Sequence, residues 1–303
     1  MIRIARIVVG VDLDGDAVGQ TARLAIEQAC SVARAAGAHV TLVHSHRDDE
    51  RWNHATRSFE PFHPPAGEAE RHPLERAAAA LRDDGISCDV VTSDEGPAIA
   101  IIHQVLREHA DLAIVGKRAA VHHDSRRMGS VSLNVVRHCP CLVSVVKPES
   151  KASPKMIVAA SDGGPVGVRV VEAAMATARL FGSELHVIHA IQLGMEIQME
   201  GEEAERSFVH TRRTELKAQV DAVVGAAGFD GKVEVHAGVT TPTRAVLEAV
   251  ERLEPDLVVM GTISRGGIPG LLVGNSAERL LGLLDCSLLV AKPEDFVCPV
   301  ELD

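Results

Sequence analysis

Residues 256–261 read Asp-Leu-Val-Val-Met-Gly, and residues 111–116 read Asp-Leu-Ala-Ile-Val-Gly, the same acid–apolar–glycine string 145 positions earlier. That offset also carries Gly129 onto Gly274, Cys141 onto Cys286, His44 onto His189, Pro97 onto Pro242 and Lys147-Pro148-Glu149 onto Lys292-Pro293-Glu294. Near the start of each half the offset grows to 150, where Ile7-Val8-Val9-Gly10-Val11-Asp12 matches Ile157-Val158-Ala159-Ala160-Ser161-Asp162. Solenoid units run ~20–50 residues, so a period this long is a duplicated whole domain. The junction falls in the polar, proline-containing stretch Glu149-Ser150-Lys151-Ala152-Ser153-Pro154-Lys155. It divides the chain into domains 1–149 and 150–303, as the length of 303 residues suggests at ~150 per domain.

Each half alternates short Val/Ile-rich runs with helix-period stretches. In the first half the runs are 4–11, 39–45, 87–92, 112–115 and 142–146, with helices predicted over 17–36, 68–84, 98–109 and 130–138. The second half repeats the pattern, with runs at 156–160, 184–190, 232–236, 257–260 and 287–291. Apolar strands with little alternation are those of a parallel sheet buried on both faces, and strand–helix alternation gives right-handed crossovers. The expected class is α/β: two tandem, doubly wound, Rossmann-like parallel sheets. Only residues 47–66 read as irregular.

Composition narrows the function. With 46% hydrophobic and 24% charged residues the chain reads as an ordinary globular protein. A formal charge of −11 opposes unspecific binding to nucleic acid or to an acidic membrane surface. Aromatic residues make up 2%, too few for a single-strand stacking platform. No run reaches the ~18–20 apolar residues of a membrane helix, and the first residues enter a strand pattern without a signal-peptide signature. The six cysteines form no CxxC pair and read as reduced thiols, which points to the cytoplasm.

In a doubly wound sheet, ligands sit at the carboxyl ends of strands where the strand order reverses. Asp12 and Asp162 end the first strand of their halves, and Gly116 and Gly261 end the fourth. Downstream, Gly129-Ser130 and Gly274-Asn275-Ser276 open a helix, whose amides and dipole favour an anion. A carboxylate for base or sugar and a helix start for phosphates would suit a nucleotide. The plainer reading of the two aspartates is that they cap the helix that follows.

The stretch Gly261-Thr262-Ile263-Ser264-Arg265-Gly266-Gly267-Ile268-Pro269-Gly270, continuing to Gly274-Asn275-Ser276-Ala277-Glu278-Arg279, resembles the universal stress protein family. The strand ends at Asp12 and Asp162 and the segment Asp285-Cys286-Ser287-Leu288-Leu289-Val290 share the likeness, which covers nearly the whole chain twice. The duplicated form and the tail at 296–303 look most like the tandem E-type branch. The resemblance implies an open five-stranded parallel sheet of the adenine-nucleotide-binding type in each half, and a role in cytoplasmic stress response. Nucleotide-binding members carry Gly-x2-Gly-x9-Gly-(Ser/Thr). The matching positions here are Gly116, Ala119, Gly129 and Ser130, then Gly261, Ser264, Gly274 and Asn275. The second glycine is missing from both, and with it the backbone freedom for close approach to phosphate. The first loop, 117–128, has no glycine, whereas the second keeps Gly266, Gly267 and Gly270, with Ser264 or Ser276 to offer a hydroxyl. ATP or another adenine nucleotide is therefore expected in the second domain, and a degenerate site in the first.

Other residues read more plainly. Lys117, Arg118, Arg126 and Arg127 suit a solvated basic loop. The adjacent pair His122-His123 with Asp124 lacks spaced ligand geometry, so no metal is expected. Cys141 in Cys139-Pro140-Cys141 reads as a small packed hydrophobe. No Gly-x-Ser-x-Gly, Walker lysine or HExxH motif is present. The expected function is thus a non-enzymatic, regulatory small-ligand module, weighed against a slow ATPase or phosphotransferase and a ligand-free scaffold. The apolar edge strands 142–146 and 287–291 suggest a homodimer.

Overall fold

The computed structural model describes residues 2–14, 17–46, 51–53, 58–60, 72–117, 129–262 and 275–302; side chains at 51–53, 58–60 and 275–276 lie outside that description. The chain groups into two compact units, Arg3–Ser153 with Val297–Asp303, and Met1–Ile2 with Pro154–Phe296.

The first unit runs β1 (Arg6–Gly10), β2 (Leu13–Asp14), β3 (Ala17–Val18), α1 (Gln20–Ala36), β4 (His39–Ser45), β5 (Arg51–Asn53), β6 (Ser58–Glu60), α2 (Pro73–Asp83), β7 (Cys88–Ser93), α3 (Pro97–Glu108), β8 (Leu112–Gly116), α4 (Ser130–His138) and β9 (Leu142–Val146). Its sheet is parallel throughout, in the order β7-β4-β1-β8-β9. The second unit runs β10 (Met156–Ala160), α5 (Pro165–Phe181), β11 (Glu184–Ile191), α6 (Met195–Glu200), α7 (Glu202–Ala227), β12 (Val233–Val239), α8 (Pro242–Leu253), β13 (Leu257–Gly261), α9 (Asn275–Leu283) and β14 (Ser287–Ala291). Its sheet repeats the same plan, β12-β11-β10-β13-β14, again parallel. The α/β, doubly wound, five-stranded class is what the alternating pattern implied.

The central strands explain their own composition. Ile7, Val8 and Val9 of β1 and Ile157, Val158 and Ala159 of β10 are fully buried, because helices cover both faces of a parallel sheet. The helices α2, α3, α5 and α8 open on proline, which has no N–H to lose and a preset φ. Pro97 opens α3, and Pro242 opens α8, where the Thr241 hydroxyl accepts from the Arg244 amide at 3.4 Å.

Two helix boundaries differ from the sequence reading. The stretch 68–84 yields a helix only from Pro73, with His72 as its cap. The stretch 17–36 yields one only from Gln20, because Ala17 and Val18 pair antiparallel with Asp14 and Leu13. Within the irregular 47–66 stretch, β5 and β6 form a small antiparallel ribbon.

Duplication extends to details that no hydrophobic pattern displays. Asp111 Oδ2 accepts from the Ala5 and Arg6 amides at 2.7 and 3.0 Å. Asp256 Oδ2 accepts from the Lys155 and Met156 amides at 2.7 and 3.1 Å. Each aspartate thereby staples the start of its unit's central strand. Just before them, His109 and Glu254 end α3 and α8 in the left-handed region, at φ 50° and 47°.

Candidate functional site

In the first unit the order of connection reverses between β1 and β8, and the carboxyl ends of those strands frame a crevice. Asp12, Gly116, Gly129 and Ser130 line it together, with Ser45, Pro97, Ile101 and Ser132. Its volume is about 140 Å³, below the ~300–1,000 Å³ of pockets that enclose a ligand.

Local chemistry places each wall. Helix α4 begins at Ser130 behind Gly129 with no side-chain cap, so its first-turn amides are not taken by a capping side chain. The buried Ser132 hydroxyl donates to the Gly116 carbonyl at 2.9 Å, tying the first turn of α4 to the end of β8. Gly116 is required for space: a Cβ there would lie 2.8 Å from Thr21 Cβ and 3.0 Å from the Thr21 carbonyl carbon. Across the crevice, the Ser45 hydroxyl donates to the Glu95 carbonyl at 2.5 Å, fixing the approach to α3.

The two strand-end acids share a duty in entering their helices. Asp12 Oδ2 would be 2.9 Å from a Cβ on Gly19, so the carboxylate rests against the residue that precedes α1. Asp162 Oδ1 accepts from the Gly164 amide at 2.9 Å, and Ser161 Oγ accepts from the Gly163 amide at 3.2 Å. Gly163 takes φ +69°, which this turn demands.

Behind each acid sits a duplicated histidine. His44 Nδ1 donates to the Val11 carbonyl at 2.9 Å, and His189 Nδ1 donates to the Ser161 carbonyl at 2.8 Å. Since a carbonyl only accepts, the ring proton is on Nδ1 in both. Each histidine holds the peptide from which its aspartate projects.

The remaining expected residues are placed only in part. Gly261 ends β13, paired with Ala291. Ser264 and Gly274 lie outside the described residues, as do Ala119, Arg118, Arg126, Arg127 and His122-His123-Asp124. Asn275 and Ser276 open α9, with side chains outside the description. Lys117, expected in a solvated basic loop, is instead buried immediately after β8.

Cysteine chemistry is muted. Burial, followed by a hydrogen bond from Cys139, pushes the Cys141 thiol well up, and burial pushes the Cys88 thiol up to about 11. Cys141 and Cys88 are therefore protonated at neutral pH and act as packing.

Ser45, Ser132, Pro97 and Ile101 were not anticipated as crevice residues. Ser132 carried a faint signal, since it stands two residues after Ser130 in the helix start. Ser45 comes to the crevice through β4, whose last residue it is, and only strand order could reveal that.

Comparison with known proteins adds the lineage. The universal stress protein family model matches residues 3–147 and again 154–292. Universal stress protein E of Photorhabdus laumondii is 23% identical over 246 residues, covering 75% of this chain and 76% of its own. Universal stress protein E of Salmonella typhi is 39% identical over 75 residues, 25% of this chain. The matched stretch spans 24% of that relative's length, and 20% for its Escherichia coli K12 counterpart. Among solved structures, a functionally unknown protein from Pseudomonas aeruginosa PAO1 superposes with a TM-score of 0.69 at 22% identity, covering 96% of this chain and 94% of the other. A universal stress protein from Archaeoglobus fulgidus DSM 4304 gives 0.65 at 19%, covering 97% and 98%. These likenesses establish the fold.

Proposed function

We propose, from the premise that this chain belongs to the universal stress protein family as a tandem of two such domains, that it is a regulatory small-ligand module. The second domain (150–303) takes an adenine nucleotide, ATP included, and the first (1–149) is a degenerate copy of that site. The observation that carries this reading is the crevice at the strand-order reversal of the first domain, whose sheet plan the second repeats. There an acid at the end of the first strand, a glycine at the end of the fourth and an uncapped helix start come together. The loop chemistry decides between the copies, because only the second loop keeps Gly266, Gly267 and Gly270. Asp162, Gly261, Ser264, Gly274, Asn275 and Ser276 are the proposed contacts in the second domain; Asp12, Gly116, Gly129 and Ser130 are their counterparts.

Equilibrium binding of labelled ATP and AMP to the full chain tests this. Asp162→Ala is expected to weaken binding about 10–100-fold, the loss of a charged hydrogen bond of ~1.5–3 kcal/mol. Asp12→Ala is expected to leave it unchanged. Absence of binding at millimolar nucleotide, or equal losses in the two variants, would overturn the assignment. ATP turnover abolished by Asp162→Ala would move the protein to the slow-ATPase reading.

The same reading places the protein in the cytoplasm, consistent with an acidic chain in which no helix among the described residues is long and apolar enough to cross a membrane. A homodimer belongs to it as well, through other surface than the strands that suggested it. Leu142–Val146 and Ser287–Ala291 are already buried in the single chain. Light scattering should then return about twice 32.2 kDa; the single-chain mass would remove the dimer.

A further inference from the structure

A cluster of metal-ligating side chains lies on β11 and β12, and none of its residues lines the strand-end crevice. Glu184 and His186 stand two residues apart on β11, as do Glu234 and His236 on β12, and His186 is in register with Glu234. Spacing of two puts each pair on one face of its strand, and parallel pairing sets the pairs side by side. His186 Nδ1 lies 2.9 Å from His236 Nε2 and 3.6 Å from Glu234 Oε2, and the last two atoms are 3.8 Å apart. A tetrahedral ion with bonds of ~2.0–2.1 Å separates its ligand atoms by ~3.3 Å. The three edges bracket that length, so shifts of about half an ångström would make them one face of such a tetrahedron, and among the described residues this is the group that meets the spacing of a metal site.

The surroundings support that reading. His186 is buried, and its Nε2 makes no hydrogen bond of good geometry. Glu184 Oε1 lies 3.3 Å from it. Ligation through Nδ1 would put the ring proton on Nε2, and a small turn of the Glu184 carboxylate would then complete the carboxylate–histidine–metal arrangement that orients a ligand ring. Lys232 pairs with Oε1 of Glu234, leaving Oε2 directed at the two rings. His236, alone of the three, also borders a cavity of about 200 Å³ beneath α8, with space for water beside its ring. Arg252 of α8 lines the same cavity and is the opposing charge. Glu248 of α8 lines that cavity too.

We propose that His186 Nδ1, His236 Nε2 and Glu234 Oε2 bind one divalent first-row cation of the zinc type, with Glu184 as the positioning residue, clamping edge strand β12 to β11. The neutral imidazole and carboxylate donors suit zinc or cobalt(II) and not magnesium.

The test uses the full chain, stripped of metal and free of nucleotide, titrated with Co(II) and then displaced with Zn(II). The wild-type chain is expected to develop the intense visible bands of tetrahedral Co(II), lost as one equivalent of zinc enters. His236→Ala should lose those bands and at least about tenfold in affinity, and Glu184→Gln about 10–100-fold in affinity with the bands retained. Circular dichroism checks that the variants fold, and Glu234→Gln supplies a second ligand loss at a part-exposed position. Asp162→Ala should bind cobalt as wild type does, which separates this site from the nucleotide reading. Weak six-coordinate spectra, or spectra identical in wild type, His236→Ala and Glu234→Gln, would overturn the proposal.

Discussion

Asp256→Ala is expected to lower the stability of the second unit by about 3 kcal/mol, and Asp111→Ala that of the first by a similar amount. A hydrogen bond to a charged group is worth ~1.5–3 kcal/mol, and each aspartate accepts two, at 2.7 and 3.1 Å for Asp256 and at 2.7 and 3.0 Å for Asp111. These bonds stand near solvent, so water recovers part of the loss and the sum falls below the gross value. What water cannot restore is the hold on the central strand, which pairs on both sides. Urea titration followed by peptide-resolved hydrogen exchange should show β10 amides opening early in Asp256→Ala and β1 amides opening early in Asp111→Ala. Asp→Asn keeps one acceptor oxygen and should cost less in both. Unchanged midpoints would mean that the strand starts are held by packing alone.

Gly167→Ala and Gly225→Ala should act in opposite directions. A Cβ on Gly167, in the first turn of α5, would fall 2.5 Å from Ser161 Oγ, 2.6 Å from Asp162 Oδ1 and 3.0 Å from the Asp162 amide. Those atoms build the turn ahead of α5 and cannot all retreat, so overpacking of ~1–3 kcal/mol is expected. The displaced Asp162 should weaken nucleotide binding in the same variant. Gly225 lies in α7, where a Cβ meets nothing within 4 Å. There alanine should stabilise by up to ~1 kcal/mol, through its higher helix propensity. Chemical denaturation measures both, and a destabilised Gly225→Ala or a neutral Gly167→Ala would contradict the packing described.

The scaffold was legible because its signal is local and repeated. Strands expected at 39–45, 142–146, 156–160 and 287–291 coincide with β4, β9, β10 and β14. Buried parallel strands must be apolar on both faces, and the chain spells that out twice. The ribbons β2–β3 and β5–β6 escaped, since two- and three-residue strands have no period to detect. Within the crevice, Asp12, Gly116, Gly129 and Ser130 were readable because strand ends and helix starts leave residue-type marks. Ser45 and Ile101 were not, because only folded strand order brings them there. The Glu-x-His pairs at 184–186 and 234–236 were written plainly, yet each alone is an ordinary strand fragment. Their meaning depends on a register that sets residues 50 apart side by side.

The last residues, Val297–Asp303, count with the unit built from the start of the chain. The Glu301 carbonyl meets His103 Nε2 at 2.9 Å, while Glu95 Oε1 meets Nδ1 of the same buried ring at 2.8 Å. The end of the chain therefore completes the first unit. A fragment cut after Ser153 would strand a buried imidazole without one of its two oxygen neighbours, and an honest comparison of the separated halves would have to graft that terminal heptapeptide back onto the first.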